Sequence, residues 1–407
     1  MYNNLFNKLY SVIKGKNHYF FLSFLYYIVI NLIKPIKQKL YFYLNNSENN
    51  KELKKIEESL TKIINYKLYE SQHFYENINN PKISVVVTEY NGEGYLRRTL
   101  FSIENQDFKD IEIIMIDDCS KDNSVKLIKQ LMKRDKRIKL YQNEFNRGAL
   151  FTKANGILKS KAKYVMLIDE DDMYVQENAL STIYNEAEKY NLDLLSFGLL
   201  IKFVETSEEK FYKILNTPIL FQPEISKNMY NYTEKKEIIR TGGLLMNYLF
   251  RKELGIKSVN QIDEKYLNAG ISFHDDLFLF FQIIRNAKSF KRIKNIFYFI
   301  LKENQILDKY KLFRLKEKRK DGYNRICFSF ISYIEFLLAH TKNTILDKKI
   351  ASSELKTWYL NHKCKLNNYT RNESNKVLKL FLTNKYIENE TKLEIQEFLN
   401  STKDWKL

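Results

Sequence analysis

Three stretches decide the fold: Ile83-Ser-Val-Val-Val-Thr-Glu-Tyr-Asn91, Ile111-Glu-Ile-Ile-Met-Ile-Asp-Asp-Cys-Ser-Lys-Asp122 and Tyr164-Val-Met-Leu-Ile-Asp-Glu-Asp-Asp172. Each is a short apolar, β-branched run that ends abruptly in polar and acidic residues. Continuous apolar runs of four to eight residues read as strands buried on both faces. Between the first two lies a segment with Leu96, Leu100 and Ile103 at helical spacing, and behind the second Val125, Ile128, Leu131 and Met132 repeat the pattern. A further strand at Ile138-Lys-Leu-Tyr141 and a helix over roughly 149–160 complete four strand–helix alternations. That order predicts an α/β domain with a mainly parallel sheet covered by helices on both sides.

Outward from this core the sequence changes character. Upstream, residues 47–80 carry Leu53, Ile56, Leu60, Ile63 and Ile64 at helical spacing, which predicts an amphipathic connecting helix running to about Glu76 and closed by Asn-Asn-Pro at 79–81. Before it, residues 1–45 hold six lysines and no acidic residue around the apolar stretch Tyr19–Ile33. As a helix that stretch is about 22 Å long, short of the roughly 30 Å needed to span a bilayer. Residues 1–46 are therefore expected either to lie in an anionic membrane interface, with lysines at the headgroups, or to pack as an ordinary helix on the next domain. Downstream of Leu192 strands and loops mix to about residue 300. From 305 to 407 the chain reads as helical, opening on Lys309–Lys320, where seven of twelve residues are cationic. The expected units are thus 1–46, 47–80, 81–304 and 305–407.

Composition bounds the function. Of 407 residues 44% are hydrophobic and only 4 are proline, which excludes wholesale disorder. The three cysteines, Cys119, Cys327 and Cys364, lack metal-ligand spacing and suit a reducing, cytoplasmic compartment. A net charge of +18 suits an anionic partner, yet the positive residues are spread along the chain and no nucleic-acid-reading module is recognisable, so nucleic acid is not the expected partner.

The chemistry concentrates where the strands end. In an open parallel sheet, ligands bind outside the carboxyl ends of the strands beside the point where strand order reverses. Here those ends read Thr88-Glu-Tyr-Asn-Gly92, Asp117–Asp122 and Asp169-Glu-Asp-Asp172. Acids gathered on one rim repel one another unless cations or donors compensate, and a hard divalent cation holding a diphosphate is the expected compensation.

Residues from about 82 to 300 resemble a family 2 glycosyltransferase of the GT-A fold. The matching segments, in order, are Ile83–Asn91, Ser102-Ile-Glu-Asn-Gln-Asp-Phe108, Ile111–Asp122, Asn146-Arg-Gly148, Ile168–Asp172 and Phe273-His-Asp-Asp-Leu-Phe278. The resemblance implies a nucleotide-sugar donor, typically a UDP-sugar, and Mn²⁺ or Mg²⁺. It makes Thr88 and Tyr90 walls of the base pocket and gives Asp118 a hydrogen bond from the base. Asp169-Glu170-Asp171 becomes the Asp-x-Asp motif facing the donor, with Asp171 as direct metal ligand beside Asp169. Lys153, where the family often has Arg, becomes a contact to the diphosphate, and Asp276 the catalytic base of an inverting transfer. Cys119, Ala154 and Asp275 depart from the family's usual Gly, Asn and Glu. The Gln-x-x-Arg-Trp signature of processive synthases is absent, so transfer of a single sugar to a surface-glycan or lipid-linked acceptor is expected. Nucleotidyl transfer to a sugar phosphate and a non-enzymatic basic scaffold are the competing readings. Residues 230–255 are the expected contribution to the acceptor cleft, or else a hairpin of the core.

Overall fold

The structure, a computed structural model, describes residues 74–203, 209–212, 216–232, 238–240 and 245–302, with Glu58 and scattered helical positions within 329–340 and 382–397. The expected membrane-interface segment at 1–46, nearly all of the connecting helix and the basic run at 309–320 lie outside the described residues.

Strand and helix alternate as the apolar periodicity requires: β1 (Ile83–Glu89), α1 (Leu96–Glu104), β2 (Ile111–Asp117), α2 (Ser124–Leu131), β3 (Ile138–Gln142), α3 (Ala149–Lys159) and β4 (Tyr164–Asp169). β5 (Met173–Tyr174), α4 (Ala179–Lys189) and β6 (Leu194–Phe203) follow. Next come β7 (Glu209–Tyr212), β8 (Leu220–Phe221), α5 (Glu224–Met229) and a hairpin of β9 (Tyr230–Tyr232) with β10 (Ile238–Arg240). The domain closes with β11 (Tyr248–Arg251), α6 (Lys252–Val259), α7 (Glu264–Leu267), α8 (Asp275–Asn286) and β12 (Ser289–Lys302).

The sheet runs β3-β2-β1-β4-β11-β6-β12-β5, with β3, β2, β1 and β4 mutually parallel and β11 inserted antiparallel. Alternate residues of β1 serve opposite faces. Val85 and Val87 join α1, α2 and α4 in one core, while Val86 joins α3, α6 and α8 in the other. Every residue of β1 and β2 is buried, which is why these strands read as unbroken apolar runs. Burying each such Val or Ile contributes roughly 1.5–3 kcal/mol.

Because β2 and β4 flank β1 on opposite sides, the chain reverses direction across the sheet at the β1/β4 boundary. Thr88 stands opposite Asp169 there, and Glu89 opposite Asp117. The acidic turn after β4 is held on both sides, since β5 pairs at once with β12.

Two expectations change. Residues 74–80 are not helical: Tyr75 forms an isolated bridge with Asp135, exchanges backbone hydrogen bonds with Arg134 and Lys136, and lays its ring 3.9 Å from the Arg137 guanidinium. These tertiary contacts outweigh the local helical pattern. Within residues 230–255, Tyr248, Leu249 and Phe250 are core residues of a central strand, so that part of the expected acceptor cleft is interior.

Of the described C-terminal positions, Tyr333, Phe336 and Leu337 join the core cluster that holds α8. Phe336 is fully buried, with its ring centroid 5.0 Å from Phe278 and 5.8 Å from Phe281.

Candidate active site

At the centre of the rim sits Lys153, on the second turn of α3. Its ammonium nitrogen lies 2.7 Å from Asp276 Oδ1, 2.8 Å from Asp275 Oδ2 and 3.3 Å from Asp169 Oδ1, and the side chain is 4% exposed. Burial alone would lower its pKa, but the three carboxylates more than reverse this and hold it well above the ordinary lysine value. That burial excludes a solvated position on the helix surface.

The three acids come from different elements. Asp169 ends β4, and its Oδ1 also accepts the Thr88 hydroxyl at 3.0 Å. Asp275 and Asp276 open α8, after His274 at the helix N-cap takes a left-handed φ of 56°. Neither aspartate caps the helix; both turn toward Lys153. Burial is the chief influence on Asp276 and pushes its pKa up to about 7; Asp275 and Asp169 act in the same direction and Lys153 against it.

Asp118 follows the end of β2, and its carboxylate is engaged by the protein's own donors. Its carboxylate, 4% exposed, accepts the Asn143 side-chain amide at 2.9 Å and the backbone N–H groups of Arg147 and Gly148 at 2.7 and 2.9 Å. These bonds fix the loop that starts α3, and an anion at a helix N-terminus is electrostatically favourable. Removing a buried acceptor of three donors leaves groups that each cost about 1–3 kcal/mol. Asp118→Ala is therefore expected to lower the melting temperature markedly without any ligand present; differential scanning calorimetry of the apo protein checks this.

Gly148 makes the approach of α3 to α8 possible. With φ of 86°, it sits where a Cβ would lie 2.6 Å from the carbonyl carbon of Gly270 and from the Ile271 oxygen. Leu150 N–H bonds the same Ile271 oxygen at 3.0 Å.

The acidic turn is gripped by its main chain. Arg98 donates to the Asp171 carbonyl at 2.8 Å and the Thr99 hydroxyl to the Glu170 carbonyl at 2.6 Å, both from α1. Tyr298 on β12 donates to Asp172 Oδ2 at 2.8 Å. Asp172 is thus structural, while the Asp171 carboxylate takes no donor from the described residues. Glu170 faces Glu89 across Gly92, where a Cβ would lie 2.5 Å from Glu170 Cγ and 2.6 Å from Glu89 Oε2. Burial pushes Glu89 up to about 7, and burial with neighbouring Asp171 and Glu89 holds Glu170 well above the carboxylate range. The Tyr90 ring is 41% exposed at the rim beside them.

Sequence reasoning missed Arg98, Thr99, Glu89 and Tyr298. Glu89 carried a signal, as a charged residue continuing an apolar strand; the others are brought in by tertiary contact alone.

No three Asp, Glu, His or Cys side chains among the described residues form a metal cage. A hard cation that takes most of its ligands from phosphate oxygens and water needs only one or two carboxylates. Asp169, 27% exposed at its side chain, and the donor-free Asp171 meet that need.

Residues 84–250 match the model of Glycosyl transferase family 2. The chain is 38% identical over 110 residues to the GalNAc(5)-diNAcBac-PP-undecaprenol beta-1,3-glucosyltransferase of Campylobacter jejuni, covering 27% of this chain and 35% of that one. It is 30% identical over 193 residues to glycosyltransferase GlyA of Streptococcus pneumoniae, covering 46% of this chain and 27% of the relative. The chain thus spans about a third of the length of the curated relatives it matches. Among solved structures, S. aureus TarS 1-349 in complex with UDP-GlcNAc superposes with a TM-score of 0.53 at 16% identity, covering 76% of this chain and 82% of TarS 1-349. That likeness is one of fold.

Proposed function

We propose that this chain, whose residues 84–250 are a glycosyl transferase family 2 domain on a GT-A-like fold, moves one sugar from a nucleotide-sugar to an acceptor hydroxyl with inversion. The observation that carries this reading is the meeting of β4 and α8 at Lys153, whose ammonium contacts both Asp169 and Asp276, the acids this reading takes as donor-side ligand and base. The UDP-GlcNAc complex of the structural neighbour supports a UDP-sugar as donor, and the undecaprenol-linked substrate named for the Campylobacter relative supports a lipid-linked or surface-glycan acceptor. A peripheral position on the cytoplasmic face of a membrane, through residues 1–46, accords with such an acceptor.

In the transfer, Asp276 takes the acceptor hydroxyl's proton as that oxygen forms its bond to the anomeric carbon. The bond from that carbon to the β-phosphate oxygen breaks on the opposite face, and its electron pair leaves with the nucleoside diphosphate. Asp169 and Asp171 would hold Mn²⁺ or Mg²⁺, which when bound would supply positive charge to offset that of the departing diphosphate. Thr88 fixes Asp169 for that task, and the exposed Tyr90 ring offers a stacking surface to the base. No covalent sugar–protein intermediate is needed.

Thermal shift with nucleoside diphosphates tests the donor assignment. UDP with Mn²⁺ is expected to stabilise the protein by about 2.7 kcal/mol at a hundredfold excess over its dissociation constant, and chelation of the metal to remove the shift. Equal shifts with all nucleoside diphosphates, or none, would count against a UDP-sugar enzyme. Pyrophosphate release from a nucleoside triphosphate and a sugar phosphate would favour nucleotidyl transfer instead.

A further inference from the structure

The geometry points to Lys153 as a positioning residue that sets the catalytic base, in place of a direct contact to the donor diphosphate. This rests on the reading of Asp276 as base. A lysine ammonium has three N–H donors, and here three carboxylates stand within reach of it: Asp276 at 2.7 Å, Asp275 at 2.8 Å and Asp169 at 3.3 Å. Only the Asp276 contact has hydrogen-bond geometry and the other two are ion pairs, but with the side chain 4% exposed a phosphate would have to displace a carboxylate to reach the ammonium.

What the contacts accomplish is orientation. The terminal torsion of an aspartate is broad, so an unpaired carboxylate samples many angles. Lys153 pins Asp276 by Oδ1, and no hydrogen bond among the described residues reaches Oδ2. That oxygen remains for the acceptor proton. Through Asp169 the same ammonium ties the carboxyl end of β4, where the donor sits, to the start of α8, where the acceptor is deprotonated. The spacing between leaving group and base is thereby set by one side chain, and misplacement by about 1 Å there costs on the order of a hundredfold in rate.

Kinetics of Lys153→Met and Lys153→Arg, alongside calorimetric titration with UDP and Mn²⁺, test this. Lys153→Met is expected to lower kcat on the order of 10- to 100-fold, the worth of a charge-assisted hydrogen bond, with UDP–Mn²⁺ affinity and donor KM changed by no more than about twofold. Lys153→Arg, which keeps the charge and can bridge two carboxylates, is expected to recover part of kcat. If Lys153→Met fails to fold, Lys153→Arg carries the test alone: reduced kcat with unchanged UDP–Mn²⁺ binding supports the assignment. Loss of UDP–Mn²⁺ affinity by about tenfold or more, with kcat at saturating donor intact, would overturn it in favour of a diphosphate contact. Asp276→Asn separates the two layers of the argument. An active Asp276→Asn removes the base reading, whereas an inactive Asp276→Asn beside a fully active Lys153→Met removes only the positioning role.

Discussion

Asp276→Asn is expected to lower kcat by roughly 10²–10⁴-fold, the usual worth of a general base, while leaving the fold and UDP–Mn²⁺ binding in place. The substitution is isosteric, and the amide oxygen can still accept from Lys153 at the 2.7 Å position of Oδ1. What it removes is the ability to take a proton. The wild-type enzyme should carry the same signature in its pH profile. Burial raises the Asp276 pKa to about 7, against the pull of Lys153 from α3 and with the push of Asp169 from β4 and Asp275 on its own helix. If Asp276 is the base, the active form is the carboxylate, and kcat/KM should rise with pH through about 7 and then level. Linkage gives the opposite sign for stability. A carboxyl whose folded pKa lies above its unfolded value of about 3.9 binds protons more tightly when folded, and its contribution is lost as pH rises from near 4 through about 7. Activity rising while stability falls across one window is the combined expectation; a flat rate profile from pH 5 to pH 9 would remove Asp276 from the base role.

The distribution of acids explains how much of this was legible in the sequence. β1, β2 and β4 are buried on both faces, so their apolar runs and the polar residues at their ends were visible without coordinates, and so was the rim they build. Asp169 and Asp276 are 107 positions apart, and Lys153 meets them only because α3 crosses the sheet beside α8. Position-by-position resemblance found all three residues but not the contact among them. Asp118 shows the limit most clearly. Its place at the end of β2 was readable, yet two of its three donors are backbone N–H groups of a loop 29 and 30 residues on, and backbone donors leave no trace in side-chain identity. The grip on the acidic turn was hidden for a similar reason, because Arg98 and Thr99 bind carbonyl oxygens. Tyr75 failed in the opposite direction: a helical pattern was present, and stacking on Arg137 with bridging to Asp135 prevailed over it.

Gly148→Ala should couple stability and activity through that same crossing of α3 and α8. The backbone at Gly148, with φ of 86° and ψ of 161°, lies in a region that only glycine enters without strain, and holding another residue there costs about 1–3 kcal/mol. The new methyl would also stand 2.6 Å from the carbonyl carbon of Gly270 and from the oxygen of Ile271, both backbone atoms that cannot rotate aside. Overpacking of this kind adds roughly 1–3 kcal/mol, so a total near 2–6 kcal/mol is expected, read as a fall in the denaturation midpoint. Relief requires the start of α3 to move away from the 270–271 segment, which leads directly into His274 and the two aspartates. Since Leu150 is bonded to Ile271 and Lys153 lies one turn further along the helix, the movement lengthens the Lys153–Asp276 contact. Turnover should therefore fall at temperatures where the variant is still fully folded. A variant that loses stability but keeps wild-type kcat at low temperature would mean that α3 and α8 adjust independently, and that the spacing of the two helices does not set the alignment of the base.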